Sequence, residues 1–343
     1  MTTQLDCSIG LKQETVYGTA VTVDQFLEFT GESLERKAKF GQGKGLRPGY
    51  RVARSGRRYL QQEEAGGGIT VEAPIKGLGA LLNAAFGSVT NTAVPGQAGV
   101  FQQVHTPALS DFLNSYTIQK GIPPLGGGAT TPITFLGAVC ASLEINAKNG
   151  EVVEVATDWT AREAQTAIAY AAPAYPAALD LFTFVHGAVV IGGTVIAPTT
   201  TALASGGTAV ADITEVSMKW DNGLDSGGWT LGGAGKRARK PVVGLSPVTG
   251  KMGADYDSTV LRDAYMNQTA LALLLTFTHP STIGTAAHPV LQVYVPCIKL
   301  EGELPKANGG DVIAQSIDFA GLDSQAAGVA PIYAVYVSTD TTP

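Results

Sequence analysis

Residues 139–159 decide the fold, and their sequence is VCASLEINAKNGEVVEVATDW. Val139, Leu143 and Ile145 fall on one face of an extended segment, because side chains alternate between the two faces of a strand. The turn residues Lys148-Asn149-Gly150 follow, and Asn-Gly between two alternating segments is the strongest short signal of a β-hairpin. The segment after the turn alternates in the same way. The sequence therefore predicts an antiparallel hairpin here.

The pattern of this hairpin occurs twice in the chain. Cys140-Ala-Ser-Leu-Glu144 returns as Cys297-Ile-Lys-Leu-Glu301. Two further features are shared, an Asn-Gly turn and an acidic residue followed by an aromatic one: Asn149-Gly150, Asn308-Gly309, Asp158-Trp159 and Asp318-Phe319. Any two hairpins share alternation and such a turn, so the repeated Cys-x-x-Leu-Glu is what predicts an internal duplication. Alternation also puts both cysteines opposite Leu143 and Leu300, in equivalent packing environments.

A short helix is predicted upstream of each hairpin. Residues 77–87 carry an apolar stripe at helical spacing: Leu78, Leu81, Leu82, Ala85 and Phe86. Asp257–Gln268 is the second predicted helix, with Asp257 or Ser258 as N-cap and a stripe of Val260, Leu261, Ala264 and Tyr265. An Ala-, Pro- and Tyr-rich segment at 165–178 is predicted to link two lobes. The expected domains are therefore 1–165 and 166–343.

Composition favours a mainly-β chain. The 343 residues include 42 Gly, and charged residues make up 15%, against about 25% in typical soluble domains. The formal net charge of −6 argues against a general nucleic-acid binder. Three widely spaced cysteines are too few for a disulfide framework, so synthesis in a reducing cytoplasm is expected. Neither a signal-peptide pattern nor a run of about 20 apolar residues is present, so we expect no membrane anchor.

No catalytic constellation emerges from the sequence. The four histidines stand at no metal-ligand spacing from a cysteine or from one another: His105, His186, His279 and His288. Gly235-Lys236 resembles the end of a phosphate-binding loop, but Thr230 occupies the position of the required Gly and Arg237 that of the required Ser or Thr. We therefore predict no catalytic residue, no metal site and no cofactor.

Basic residues concentrate in two Gly-rich segments, both expected to be loops. The first has nine basic residues and no acidic one: Arg36, Lys37, Lys39, Lys44, Arg47, Arg51, Arg54, Arg57 and Arg58. The second has four: Lys236, Arg237, Arg239 and Lys240. Together they hold 13 of the 23 Lys and Arg, so the other 10 stand against all 29 acidic residues, a balance of −19.

Three interpretations of these basic segments stay open. They could bind a phosphate backbone, with an affinity that falls as salt rises, or they could be ordinary solvated loops. They could also dock onto the acidic body of another copy of the chain, a head-to-tail contact that generates open stacks. The last is favoured because it uses both the positive segments and the negative body.

Three stretches resemble a known family, the major tail tube proteins of long-tailed, siphovirus-type bacteriophages. They are the opening SIGLKQETVYGTA at 8–20, the run ITEVSMKWDNG at 213–223, and VPCIKLEG at 295–302 with its Gly-Gly-Asp turn at 309–311. The resemblance covers much of the chain as a pattern. It implies two tandem β-sandwich or barrel lobes of the tail tube type, with short helices packed outside.

The resemblance also implies a function and its partners. Tail tube proteins form stacked rings around a DNA-wide channel, and the long loop after the first strands reaches the adjacent ring; here the 13 basic residues take that role. A duplicated chain is similar to members in which three copies make a pseudo-hexamer. The implied partners are other copies, the tape measure, tail terminator and tail-tip proteins, with DNA passing through unbound in a virion tail assembled in the host cytoplasm.

Carboxylates in the channel would keep DNA from sticking, since they repel phosphates. Glu144, Glu154 and Glu301 are candidates because they lie on the predicted hairpins, although the opposite, outward orientation is equally compatible with the sequence. Two other functions stay open: a tandem β-sandwich decoration or adhesion module, and the tube of a contractile tail or secretion system. An enzyme has no supporting residues.

Overall fold

The computed structural model describes residues 4–177, 179–210, 212–256, 259–302, 304 and 313–343. Strands take up 48% of the chain and the described part has two α-helices, so the predicted mainly-β class is confirmed. The helices are α1 (Gly79–Phe86) and α2 (Val260–Asn267). Within these ranges, three single 3₁₀ turns lie at Gln4–Asp6, Ser55–Arg57 and Phe184–His186.

The described strands follow one another along the chain with mostly short connections. In the first half they are β1 (Ser8–Gln13), β2 (Gln25–Leu27), β3 (Phe29–Glu32), β4 (Glu35–Gln42), β5 (Arg58–Glu72), β6 (Gly87–Ala93), β7 (Phe101–Pro107), β8 (Tyr116–Ile122), β9 (Thr131–Lys148), β10 (Glu154–Ala161) and β11 (Glu163–Gln165). In the second half they are β12 (Gly187–Ile191), β13 (Val195–Ile196), β14 (Ser205–Gly206), β15 (Ala209–Val210), β16 (Ile213–Asp221), β17 (Val248–Asp255), β18 (Leu271–Thr278), β19 (Val290–Gly302), β20 (Ala314–Gly321) and β21 (Tyr333–Ser338).

Seven antiparallel strands make a continuous sheet through both halves of the chain, in the order β5–β10–β9–β16–β17–β20–β19. The hairpin predicted at 139–159 is confirmed as β9–β10, with Glu154 opposite Asn146. The second predicted hairpin pairs β19 with β20 and puts Leu300 opposite Phe319. Its turn at 308–311 lies outside the described residues. We call these seven strands the central sheet.

Further strands form the layer on the other side of the core. In the first half β2, β1, β8, the start of β9 and β11 pair in that order. A second set pairs in the order β15, β12, β18, the start of β19, β21, β7 and β6, so that β6 and β7 from the first half of the chain extend a sheet of second-half strands. One apolar cluster joins both halves and contains Leu143, Met218 and Leu300. The sheets do not close into a barrel, and of the two predicted architectures the β-sandwich fits.

Both helices lie where the sequence predicts them, but they are buried to different extents. The α1 stripe is buried as expected, and α1 ends at Gly87, whose φ of 75° is a left-handed C-cap. In α2 only Ala264 is buried, and Val260 is 63% exposed. Val260 was therefore wrongly placed in the apolar stripe. The predicted caps Asp257 and Ser258 lie outside the described residues.

The cysteines do not share one environment. The β9–β10 register shifts so that Ser142 opposes Asp158 while Cys140 opposes Trp159, which leaves Ala141 as a bulge. A bulge inserts one residue and reverses the alternation, so Cys140 is fully buried in the same cluster as Leu143. Cys297 is only half-buried. The prediction of equivalent cysteines opposite the two leucines was wrong for this reason.

Candidate functional site

The central sheet has one apolar face and one polar face. On β9, Leu143 and Ile145 are buried, whereas Glu144 between them is partly exposed. The register puts Glu144 opposite Lys219 of β16 and opposite Ala156 of β10, and this alternation continues across all seven strands. We call the exposed side the polar face.

All three predicted lumen candidates lie on this polar face. Glu144 and Glu154 belong to the β9–β10 hairpin and Glu301 belongs to β19. Sequence reasoning missed the other charged residues of the face, because the sequence does not show that β16 and β17 lie between the two hairpins and that β5 flanks the first one. The acidic members described are Glu72, Glu144, Glu154, Asp158, Glu215, Asp221, Asp255, Glu301 and Asp318, and the basic ones are Lys148, Lys219, Lys251 and Lys299.

Some of these carboxylates face one another directly across strands. Glu72 opposes Glu154, and Glu301 opposes Asp318. Like charges directly opposite each other destabilise a sheet. Local compensation is partial: Lys219 Nζ lies 3.8 Å from Asp221, and Ser217 Oγ donates to Glu144 at 3.2 Å. Fold stability therefore does not account for the acidic excess of the polar face.

The first basic segment is a hairpin that extends beyond the central sheet. It was predicted as a loop, but Arg36, Lys37 and Lys39 lie on β4 and Arg58 lies on β5, and these strands pair from Glu35–Gly66 to Gln42–Arg58. The other five predicted residues occupy the connection: Lys44, Arg47, Arg51, Arg54 and Arg57. All nine side chains are exposed, although Arg36 pairs with Glu63 at 2.8 Å and Lys37 with Glu35 at 3.6 Å. We call residues 35–66 the arm.

Apolar and aromatic side chains are exposed along the arm beside the basic ones. Leu46 is 98% exposed and Val52 is 83% exposed. The guanidinium of Arg47 lies 5.1 Å from the ring centroid of Tyr50, and that of Arg58 lies 4.8 Å from that of Phe40. Exposed apolar groups rimmed by charge mark contact surfaces, so the arm is a candidate interaction site.

Residues of the second basic segment contact the base of the arm in the same chain. Arg237 is 2% exposed, pairs with Glu64 and lies 4.2 Å from the ring centroid of Trp229. Lys236 pairs with Glu163 of β11. The backbone N–H of Glu63 donates to the Gly235 carbonyl at 2.7 Å. Lys236 and Arg237, predicted to lie in a loop that contacts another copy, thus form ion pairs within their own chain.

The other two residues of this segment are also engaged. Arg239 binds Asp225 at 2.8 Å, and this hydrogen bond, helped by the backbone N–H of Val242, holds the pKa of the Asp225 carboxyl well below its usual value. Lys240 Nζ donates to the Leu113 carbonyl at 3.2 Å, and burial lowers the pKa of its amine. The second segment therefore differs from the arm, and we assign it a structural role.

The histidines considered as possible ligands or catalytic groups do not form a site with other reactive side chains in the described residues. His105 is fully buried, and burial lowers the pKa of its imidazole to about 3. His186 and His279 lie edge to face with ring centroids 4.9 Å apart. Over the described ranges, no group of three or more His, Cys, Asp or Glu could hold a metal ion. No helix in that part of the chain is long and apolar enough to cross a membrane.

The described part of the chain is a mainly-β sandwich with a broad acidic sheet face and a projecting basic arm. The chain belongs to the phage tail tube protein family, whose sequence profile matches residues 4–321. It is accordingly a structural protein of the bacteriophage virion tail, as the resemblance indicated. Among curated proteins, none matches it significantly.

Proposed function

We propose that this chain assembles into stacked rings that form the phage tail tube, the conduit for genome ejection. The observation that carries the proposal is the polar face. Nine acidic and four basic side chains lie on one side of seven consecutive strands. A channel wall with this excess of carboxylates repels phosphates and lets DNA slide. Glu144, Glu154 and Glu301 face the lumen in this arrangement.

The chain contributes two tube lobes, 1–165 and 166–343, so that three copies give a pseudo-hexameric ring. Supporting this, strands β3 and β16 carry the same irregularity, a bulge at Thr30 and at Thr214. Both hydroxyls donate to a carbonyl of the paired strand, at 3.3 Å for Thr30 and 3.2 Å for Thr214. Bulges also occur in other strand pairs of this chain, so the support comes from the shared threonine and its hydrogen bond to the paired strand.

The arm makes the contact between rings. Its nine basic residues are exposed, and the seven that lie outside the internal ion pairs Arg36–Glu63 and Lys37–Glu35 complement an acidic body. A head-to-tail contact of this kind gives an open stack. The four residues of the second segment are left out of this surface because they bind within their own chain. Tape measure, tail terminator and tail-tip proteins complete the tail, which assembles in the host cytoplasm.

Negative-stain electron microscopy of the purified protein, concentrated at low and at physiological salt, tests this function. We expect rings or tubes with a central channel and three-fold or pseudo-six-fold symmetry. Ring-on-ring contacts between charged surfaces weaken as salt screens them, so tubes should shorten at high salt. Stable small oligomers without a channel would contradict the proposal and favour a decoration or adhesion module.

A further inference from the structure

Strand β3 has one unpaired edge beside an open groove. It pairs with β5, and no strand in the described part of the chain pairs with its other edge. The groove along that edge has a volume of about 760 Å³ and is lined by residues of β1, β3 and β8 and by Tyr175. Lys120 and Glu32 form an ion pair in its wall at 3.1 Å. An unpaired edge exposes backbone donors and acceptors to another strand.

The equivalent strand in the second half, β16, is already covered. The shared threonine bulges align β3 with β16, so that Phe29 corresponds to Ile213 and Glu32 to Val216. Strand β9 pairs with the free edge of β16 over seven residue pairs, from Glu215–Lys148 to Asp221–Ser142. The pair Val216–Ala147 brings Ala147 into the wall of a smaller groove of about 190 Å³ beside β16.

The sequence repeat identifies which strand is left without this partner. Cys140-x-x-Leu143-Glu144 corresponds to Cys297-x-x-Leu300-Glu301, so β19 is the equivalent of β9. From Lys299 to Gly302, β19 pairs with β20 alone among the described strands. The same offset makes Leu304 the equivalent of Ala147. Leu304 is 47% exposed in the single chain, so part of its apolar side chain is accessible to another copy.

We propose, on the basis of the proposed function, that the β19 edge and Leu304 of one copy pair antiparallel with the end of β3 and the start of β4 in the next copy of the ring; β3 and β4 follow β5 in one register and form one continuous edge. The register copied from β9–β16 puts Leu304 opposite Glu32, Gly302 opposite Leu34, Glu301 opposite Glu35 and Lys299 opposite Lys37. Leu304 then fills the groove of the neighbouring copy and covers the Lys120–Glu32 ion pair. We call this strand pairing between copies the seam. It repeats the β9–β16 pairing that joins the two halves within one chain.

The size and lining of the groove fit this occupant. Its volume of about 760 Å³ leaves room for a Leu side chain. Phe29 and Leu27 line the groove and offer apolar contact, and burying a Leu side chain stabilises a contact by about 1.5–3 kcal/mol. Each copy has one such edge and one such groove, so the contact is head-to-tail, and it forms a ring when the rotation between neighbouring copies closes.

Cysteine cross-linking tests the seam directly. In a background with Cys7→Ser and Cys297→Ser, Glu32→Cys is placed on one preparation and Leu304→Cys on another. After mixing, assembly and oxidation we expect a cross-linked dimer, because directly opposed residues on paired strands lie within disulfide range. A chain carrying both cysteines should give dimers and trimers. The pair Leu109→Cys and Leu304→Cys is the control and should stay uncross-linked, since Leu109 is 104% exposed and distant in register.

Leu304→Asp supplies the second measurement, with Leu109→Asp as its matched control. Both sites are exposed in the single chain, so both variants should fold, but only Leu304→Asp should lose rings at least tenfold. Rings that form with Leu304→Asp at the normal yield, without the 32–304 cross-link, would overturn the seam and leave the tube function standing. Unmodified protein that forms no rings at all would instead defeat the proposed function, and the seam with it.

Discussion

At the scale of single residues, burial separates structural polar groups from interaction groups. Arg237 lies in a basic, Gly-rich stretch that predicts a solvated loop, yet it is 2% exposed because Glu64, 173 positions earlier, pairs with it. His105 is 0% exposed, with Gln103 Oε1 3.3 Å from its Nε2. Neither outcome can be predicted locally, since the partners come from other strands.

Burial of His105 makes stability depend on pH. Its folded pKa is about 3 and its unfolded pKa is about 6.5, so between these values the unfolded chain binds more protons. The free energy of unfolding therefore falls as pH drops below about 6.5, by up to about 1.4 kcal/mol per pH unit. Between pH 7 and pH 5 the free energy of unfolding falls in the natural chain because of this group. We expect the fall to be about 2 kcal/mol smaller in the His105→Gln variant.

Urea unfolding at the two pH values measures this difference. His288→Gln, at an exposed position, is the control and should follow the natural chain. A His105→Gln variant with unchanged pH dependence would show that the buried imidazole is not the group that titrates.

At the scale of elements, two glycines let the arm join the central sheet. Gly66 and Gly67 of β5 have φ values of 148° and 146°, at the point where β5 leaves β10 and continues with β4 alone. A Cβ on Gly66 would stand 2.1 Å from the Trp159 carbonyl oxygen, and one on Gly67 would stand 2.2 Å from that of Ser33. Backbone atoms from both sides thus require glycine here.

Gly66→Ala should therefore destabilise the fold by about 1–3 kcal/mol or more, through strain and the backbone clash. Gly56→Ala is the matched control, because a Cβ there meets no atom within 4 Å and should change stability by less than about 0.5 kcal/mol. Chemical denaturation of both variants measures the effect. Equal stability of the two would contradict the close approach at Gly66.

Charge reversal tests whether the positive charge of the arm is needed for stacking of rings. We expect Lys44→Glu, Arg47→Glu and Arg51→Glu together to leave single rings intact but prevent stacking, since all three lie exposed in the connection between β4 and β5. The control keeps the charge: Lys44→Arg, Arg47→Lys and Arg51→Lys. Sedimentation and electron microscopy separate rings from tubes. Full-length tubes from the charge-reversed variant would remove the arm from the ring-to-ring contact.

At the scale of the whole molecule, the central sheet makes one surface from both halves of the chain. The β9–β16 pairing joins them, and a single apolar cluster runs beneath. Asn222 strengthens the junction, donating to the carbonyls of Ala85 at 2.9 Å and Cys140 at 3.0 Å. The polar face is therefore a property of the assembled sheet and of no single hairpin.

Charge reversal on that face tests the conduit. Glu144→Lys with Glu301→Lys should still assemble, because both side chains lie on the exposed side of the sheet, but should slow DNA ejection by attracting phosphate. The retention should weaken as salt rises, since phosphate contacts release counterions. Asp323→Lys, in an exposed loop outside the sheet, is the control. Normal ejection at low salt from the double variant would place these glutamates outside the lumen.

Local pattern in the sequence was enough to determine the mainly-β class, the β9–β10 hairpin, both helices and the family, because alternation, turn residues and helical spacing act over a few neighbouring residues. It also identified the basic arm, although as a loop, since its alternation is masked by charge and glycine. The two-lobe division and the lumen assignment stay predictions.

Tertiary structure decided the rest. The bulge at Ala141 reversed the face of Cys140 because a single inserted residue shifts every side chain beyond it. Pairing of β9 with β16 brought the acidic residues of both halves onto one face. Arg237, expected at the surface, is buried because it pairs with the Glu64 carboxylate. Each of these depends on contacts between residues far apart in the chain, which local periodicity does not encode.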